Sequence, residues 1–124
     1  MKRDAYTMIE IIFVMVIIGI LAAVGIPKLA ANRTDARASV ISIRLSNCIV
    51  LAGKSYLEDG NFTLNEKNCQ DITLIDPCYM LEADDANGTL FVKDSNDTSL
   101  ECIQARKITH KNGLSSTIGL KHQF

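Results

Sequence analysis

Four cysteines are the residues of this sequence with the most definite chemistry. Cys48, Cys69, Cys78 and Cys102 are even in number, widely spaced and outside any Cys-x-x-Cys pair. This pattern argues against a redox pair or a zinc cluster, and it indicates two disulfides formed in an oxidising compartment. Buried, reduced thiols in a cytosolic protein are the alternative. Four cysteines permit three pairings, of which we prefer Cys48 with Cys102 and Cys69 with Cys78.

Signatures of catalysis are not found along the chain. There is no Gly-rich phosphate loop, no nucleophile elbow and no HExxH pair. His110 and His122 lie in a basic tail, where exposed polar side chains are more common than a pair of metal ligands. We therefore predict that the protein is not an enzyme and has no catalytic residues.

Asp and Asn clusters in the second half of the chain offer oxygen atoms of the kind that calcium prefers. There are two such groups: Asp84, Asp85 and Asn87, and then Asp94, Asn96, Asp97 and Glu101. Neither group has a complete calcium-ligand spacing, and ordinary solvated turns are the alternative. No metal or other cofactor is predicted, with Asp94, Asn96 and Asp97 kept as the calcium candidates.

Asn-x-Ser/Thr sequences, the acceptors of N-glycosylation, form a second group of candidate sites. They occur at Asn32, Asn61, Asn87 and Asn96. The last three have an acid two positions earlier, namely Asp59, Asp85 and Asp94. This extended form resembles the acceptor of bacterial N-glycosylation, so we hypothesise modification at Asn61, Asn87 and Asn96 on exposed turns. Asx-type turns in an acidic head are the alternative.

The chain length limits the size of the folded head, and the charge distribution describes its surface. The 124 residues, less an apolar N-terminal segment, permit one small head domain, which is the kind that disulfides commonly stabilise. The net charge is −1, but residues 58–101 contain eleven acids against two lysines, or −9, and residues 105–124 contain four cations and no acid, or +4. A solvated surface is the simpler interpretation, and a basic patch for an anionic polymer such as DNA is the other.

The N-terminal segment places an acid, Glu10, within an apolar run. From Met8 to Ala31 nearly every residue is apolar, and a helix of that length spans roughly 36 Å, more than the ~30 Å hydrocarbon core of a bilayer. Glu10 lies near its start. A carboxylate held at mid-bilayer costs on the order of 2.5 to 3.5 kcal/mol, and less near an end, so it requires a partner or a use.

The residues around Glu10 carry a family resemblance. A short charged leader, residues 1–5, ends in Ala5 and is followed by Tyr6-Thr7-Met8-Ile9-Glu10, with Gly19, Gly25 and Pro27 further along. This resembles the cleavage motif of type IV pilins and pseudopilins. The resemblance implies that a prepilin peptidase cuts between Ala5 and Tyr6 and methylates the Tyr6 amine, and that Glu10 meets the free amine of an adjacent subunit. The family usually has glycine at the position of Ala5, and Asp4 is also unusual there.

Membrane orientation receives two opposite signals. Lys2 and Arg3 precede the apolar run, whereas Lys28, Arg33 and Arg37 follow it, which by itself places the head inside. The cysteines and the family resemblance favour a head outside the cytoplasm. We expect a single-pass inner-membrane precursor with its head in the periplasm, later assembled into a pilus or pseudopilus.

Apolar periodicity predicts an α+β, pilin-like fold. Pro27 should kink the helix near Gly25 without ending it. Beyond it, a core-facing stripe extends the helix to about Leu57, before Gly60; its members are Ala38, Ile41, Leu45, Cys48, Ala52 and Tyr56. A small antiparallel sheet should cover this stripe, with strands expected at Thr89–Lys93, Ser99–Ile108 and Ser116–Leu120. The predicted domains are a leader (1–5), a transmembrane and polymerisation helix (6–31) and a head (32–124).

The expected function is that of a structural subunit. It belongs either to a type IV pilus-like filament or to a pseudopilus of type II secretion or DNA uptake, as a homo- or hetero-oligomer of pilin-like subunits. DNA binding has no further support. The alternative is a membrane-anchored periplasmic binding module with the helix as a simple tether; a small periplasmic enzyme is a third.

Overall fold

The chain folds into helices and a small sheet, as the α+β prediction requires. A computed structural model describes residues 7–124, and its contacts divide the chain into two units, Met1–Arg33 and Thr34–Phe124. The elements in order are α1 (Met8–Asp59), α2 (Lys67–Gln70), a π-helical turn (Asp71–Ile75), β1 (Tyr79–Asp84), β2 (Thr89–Asp94), α3 (Leu100–Lys111) and β3 (Leu120–Gln123).

Helix α1 continues through Gly25 and Pro27 and ends close to the predicted residue. Gly60 follows it with φ of 76° and donates its N–H to the carbonyl of Tyr56 at 2.8 Å. A left-handed glycine after the last helical turn satisfies a carbonyl that the helix leaves unpaired. The predicted kink at Gly25 and Pro27 stays a prediction.

The head is built on one face of α1. Five of the six residues in the predicted stripe are buried, and the sixth, Tyr56, is half-buried. The other elements contribute Ile72 from the π-helical turn, Tyr79 from β1, and Leu90 and Val92 from β2. The helical spacing in the sequence therefore identified the core-facing side of α1 correctly.

A three-stranded antiparallel sheet in the order β1-β2-β3 packs into this core. Val92 pairs with Leu81 on one side and with Leu120 on the other. Gly88, with φ of 61°, closes the β1–β2 turn. A Cβ at Gly88 would lie 2.8 Å from the hydroxyl of Tyr56, so the turn requires glycine for conformation and for space.

Two of the three predicted strands were wrong in type or position. The first is confirmed as β2, but Ser99–Ile108 is mostly helix α3, and the third strand begins at Leu120 instead of ending there. Ser99 caps α3 by accepting a hydrogen bond from the N–H of Cys102. Cys102, Ala105 and Thr109 are the buried residues of α3, at helical spacing, which a period of two would not produce. Strand β1 was not predicted.

All four cysteines are in disulfides, as predicted, but the preferred pairing was wrong. Cys48 pairs with Cys69, with a Cα–Cα distance of 4.9 Å, and Cys78 pairs with Cys102 at 5.1 Å. The preferred pairing would have required Cys102 to lie beside α1. Instead Cys102 lies in the first turn of α3, beside the residue that precedes β1, while Cys69 on α2 lies beside α1.

A buried hydroxyl network attaches α3 to the sheet. The hydroxyl of Tyr79 lies 3.0 Å from Oγ1 of Thr109, which lies 2.8 Å from Oγ of Ser115. Burial raises the pKa of Tyr79 to about 12, against the opposing effect of the Thr109 hydrogen bond. Because each hydroxyl has a partner, three polar groups are accommodated at low cost inside the head.

Arg106 on α3 holds the loop between β2 and α3. Its guanidinium donates to the carbonyls of Asp97 at 2.7 Å, Ser95 at 2.8 Å and Cys78 at 3.3 Å. It also lies 3.1 Å from Oγ of Ser95. Arg106 thus contacts three backbone carbonyls in and beside the loop, which removes one cation from the basic tail that the sequence indicated.

We expect Arg106→Met to lower the free energy of unfolding by about 2–3 kcal/mol, because it leaves carbonyls without a charged donor while keeping an apolar stem. Lys107→Met is the matched control, since Lys107 is exposed on the same helix, and a change within about 0.5 kcal/mol is expected. Urea denaturation of the full chain in detergent, followed by circular dichroism, measures both. Equal midpoints for the two variants would contradict this assignment.

Candidate functional site

Glu10 lies in the first turn of α1, on an exposed surface. Its backbone N–H donates to the carbonyl of Thr7 at 3.1 Å and to Oγ1 of Thr7 at 3.4 Å. Within residues 7–124 no cation forms a salt bridge with Glu10.

Thr7 is the N-cap residue of α1, a role that the sequence analysis missed. Thr7-Met8-Ile9-Glu10 has the Ser/Thr-x-x-Glu spacing of a capping box, and the structure shows the threonine half of it. An acid in the first turn is also favoured by the helix dipole. The motif was readable in the sequence; in a complete capping box the Glu10 carboxylate would accept from the Thr7 N–H at the helix start.

The apolar residues that follow Glu10 have no cover within the described part of the chain. Within residues 7–124, α1 is the one helix with a window apolar enough to cross a membrane; that window has a mean hydropathy of 2.9 and none of it is buried. Met8, Phe13 and Leu21 are 82%, 67% and 67% exposed. Side chains of this kind require lipid or other helices around them. A signal sequence also passes such a test, so composition does not decide the role.

Comparison with known families decides the nature of this segment. Residues 1–26 match the family described as the prokaryotic N-terminal methylation motif. The chain carries the prepilin cleavage motif. Ala5 and Tyr6, on either side of the predicted cut, belong to the match but lie outside the described residues. Comparison with curated proteins and with solved structures finds no match.

The glycosylation candidates of the head are all exposed asparagines. Asn61 follows Gly60 directly after α1, Asn87 lies in the β1–β2 turn, and Asn96 lies in the loop before α3. Asp84 accepts from the N–H groups of Ala86 and Asn87, an Asx turn of the kind proposed as the alternative. These hydrogen bonds, with that from the Asn87 side chain foremost, lower the pKa of Asp84.

Two of the three calcium candidates, Asp94 and Asp97, already have protein partners. Oδ2 of Asp94 lies 2.8 Å from Nε2 of His110, and Oδ1 of Asp97 accepts from the N–H of Ser99 at 2.7 Å. Hydrogen bonds from Ser99 lower the pKa of Asp97. In the chain from residue 7 onward, no group of three or more His, Cys, Asp or Glu is placed to hold a metal ion. The prediction of no cofactor, with calcium as its alternative, stays untested.

The two histidines are separated in the head. His110 faces Asp94, whereas Nε2 of His122 lies 3.0 Å from the carbonyl of Leu114. Of the tail cations, Lys107, Lys111 and Lys121 are exposed. The basic patch is therefore smaller than the sequence indicated, because Arg106 serves the β2–α3 loop.

Proposed function

We propose that the protein is a structural subunit of a type IV pilus-like filament or of a pseudopilus that serves secretion or DNA uptake. A prepilin peptidase removes residues 1–5 and methylates Tyr6, and the mature chain polymerises with other pilin-like subunits. The observation that supports this most is the position of Glu10, an acid in the first turn of an uncovered apolar helix, inside a methylation motif.

Exposed apolar surface supports assembly. In a bundle of subunits, the residues that follow Glu10 would contact neighbouring helices instead of lipid. The Glu10 carboxylate would pair with the Tyr6 amine of another subunit, and any other register would leave both charges buried without a partner. In the head, Ile43, Val50 and Leu57 recur every seven residues on the outer face of α1 and are 60%, 65% and 74% exposed. A seven-residue spacing is close to two helical turns, so these side chains lie along one stripe of the helix that a neighbouring subunit could cover.

Two disulfides support a head outside the cytoplasm. Bridges of this kind form and persist in oxidising compartments such as the periplasm, and all four cysteines of the head are paired. The proposed precursor is therefore a single-pass inner-membrane protein with a periplasmic head.

The tethered binding module also has one feature in its favour. A groove of about 690 Å³ lies between α1, the segment before β1 and the start of α3, and it is lined by Val40, Ile75, Pro77 and several charged residues. A ligand in this groove would make the helix an anchor only. A filament subunit should need Glu10 for assembly, whereas a tethered binding module should not. The effect of replacing Glu10 therefore distinguishes the two functions.

Analysis of the mature N-terminus tests the proposed function. We expect the native protein to begin with N-methylated Tyr6, as read by mass spectrometry of its N-terminal peptide. Ala5→Leu should retain the leader, because the peptidase motif has a small residue there, whereas Asp4→Ala should be cut normally. A native chain that begins at Met1, or beyond Glu10, rules the proposal out.

A further inference from the structure

The three extended glycosylation acceptors differ in how much of each one a transferase can reach. Recognition of this motif involves the asparagine, the Ser or Thr two positions later and the acid two positions earlier. All three asparagines are exposed, so the flanking residues decide among them.

Asn61 has every recognition residue on the surface. Asp59, Asn61 and Thr63 are all exposed. The ring of Phe62 between them stacks on Tyr56 at a centroid distance of 4.7 Å. The backbone is fixed as well, because the N–H of Phe62 donates to Asp85 at 2.8 Å and that of Thr63 donates to Ser55 at 2.9 Å. The acceptor is thus anchored through Phe62 and the backbone while its recognition side chains stay accessible.

Asn87 lacks an accessible threonine. Thr89, two positions later, lies in β2 and is 1% exposed. The carboxamide Nδ2 of Asn87, the atom that a sugar would take, donates to Oδ2 of Asp84 at 2.6 Å. In the folded head, modification there requires β2 to leave the sheet.

Asn96 lacks an accessible acid. Thr98 is exposed, but the side chain of Asp94 is only 8% exposed and lies 2.8 Å from His110. Asn32 lies inside α1 and has Ala30 at the acid position. The extended acceptor is complete on the surface only at Asn61, among the residues that the structure describes.

We propose that Asn61 is N-glycosylated in the folded head and that Asn87 and Asn96 are not. Nδ2 of Asn61 forms a bond to the anomeric carbon of a sugar carried on a lipid diphosphate. The bond between that carbon and the phosphate oxygen breaks, the lipid diphosphate leaves with the electron pair, and Nδ2 loses one proton. The reaction rests on the head lying outside the cytoplasm, where the proposed function places it.

Trypsin separates the three acceptors. Cleavage after lysine and arginine yields peptides 55–67, 68–93 and 94–106, which contain Asn61, Asn87 and Asn96 respectively. We expect mass spectrometry of the reduced native protein, purified from its own cells, to find a glycan on peptide 55–67. The modified fraction of that peptide should exceed that of the other two by an order of magnitude.

Matched variants complete the experiment. Asn61→Gln, Thr63→Ala and Asp59→Asn alter exposed residues, so the head should fold, and each should remove or strongly reduce the mass increment. Asn87→Gln should leave it unchanged. Unmodified peptide 55–67, or equal modification of all three peptides, overturns the proposal. The N-terminal peptide of the same sample tests the proposed function independently. Processing at Tyr6 without a glycan on peptide 55–67 overturns only the glycosylation proposal, whereas an unprocessed N-terminus overturns the proposed function.

Discussion

Replacing Glu10 by leucine is expected to abolish incorporation of the chain into filaments while leaving membrane insertion intact. Leucine makes the helix more apolar, so the precursor should enter the membrane at least as well as the wild type. Assembly should fail because the Tyr6 amine of a neighbouring subunit is then left in an apolar environment without its acid. Removing one partner of a buried ion pair costs about 3–5 kcal/mol, which corresponds to roughly two to four orders of magnitude in the subunit association constant.

Glu10→Gln separates this contact from the capping role. Glutamine serves at the third position of a capping box as glutamate does, but it carries no charge. Loss of assembly in Glu10→Gln therefore identifies the charge, whereas normal assembly leaves Glu10 as a helix cap only. Asp35→Asn is the matched control on the same helix, since Asp35 is exposed and in the head.

The measurement compares two fractions of the same cells. Immunoblots of material sheared from the cell surface or recovered as fibres, against the membrane fraction, give the assembled share of each variant. If Glu10→Leu assembles as the wild type does, the helix is a tether and the binding-module alternative is favoured.

Loss of the Cys78–Cys102 disulfide is the second large effect expected. This bridge links the start of β1 to α3 across a sequence separation of 24 residues. A loop of that size corresponds to about 3 kcal/mol of stability on the chain-entropy account, a large share of what so small a domain possesses. The double variant Cys78→Ala/Cys102→Ala should therefore unfold at a much lower urea concentration in detergent.

The second bridge provides a comparison, because its removal is expected to have a similar effect. Cys48–Cys69 has a separation of 21 residues, so Cys48→Ala/Cys69→Ala should lose a similar amount. Wild-type stability in either double variant under oxidising conditions would show that the bridges do not stabilise the head.

Unreduced tryptic digests test the pairing itself. Cys48 lies in peptide 45–54, Cys69 and Cys78 in peptide 68–93, and Cys102 in peptide 94–106. The structure predicts one species that contains all three peptides, and Cys78→Ala/Cys102→Ala should leave 45–54 joined to 68–93. A separate species in which peptide 45–54 is joined to peptide 94–106 would instead support the pairing preferred from the sequence, Cys48 with Cys102.

Local patterns predicted the elements whose periodicity is long and consistent. The buried stripe of α1 repeats at helical spacing over several turns, and Gly60 marks its end, so both were readable. The segment from Ser99 onward was misread because a short apolar pattern does not separate a strand from a helix. Its helical spacing emerges only when Cys102, Ala105 and Thr109 are seen to be buried together.

The processing motif, the apolar helix with its acid, the disulfide-forming cysteines and the candidate acceptors could all be predicted from the sequence, because each depends on neighbouring residues or on composition. The folded head was needed to learn which cysteines pair, that Arg106 binds the β2–α3 loop, and that among the described residues the acceptor at Asn61 is the one that is fully exposed. These depend on distances between residues far apart in sequence, and such distances are settled by how α3 and the sheet pack on α1.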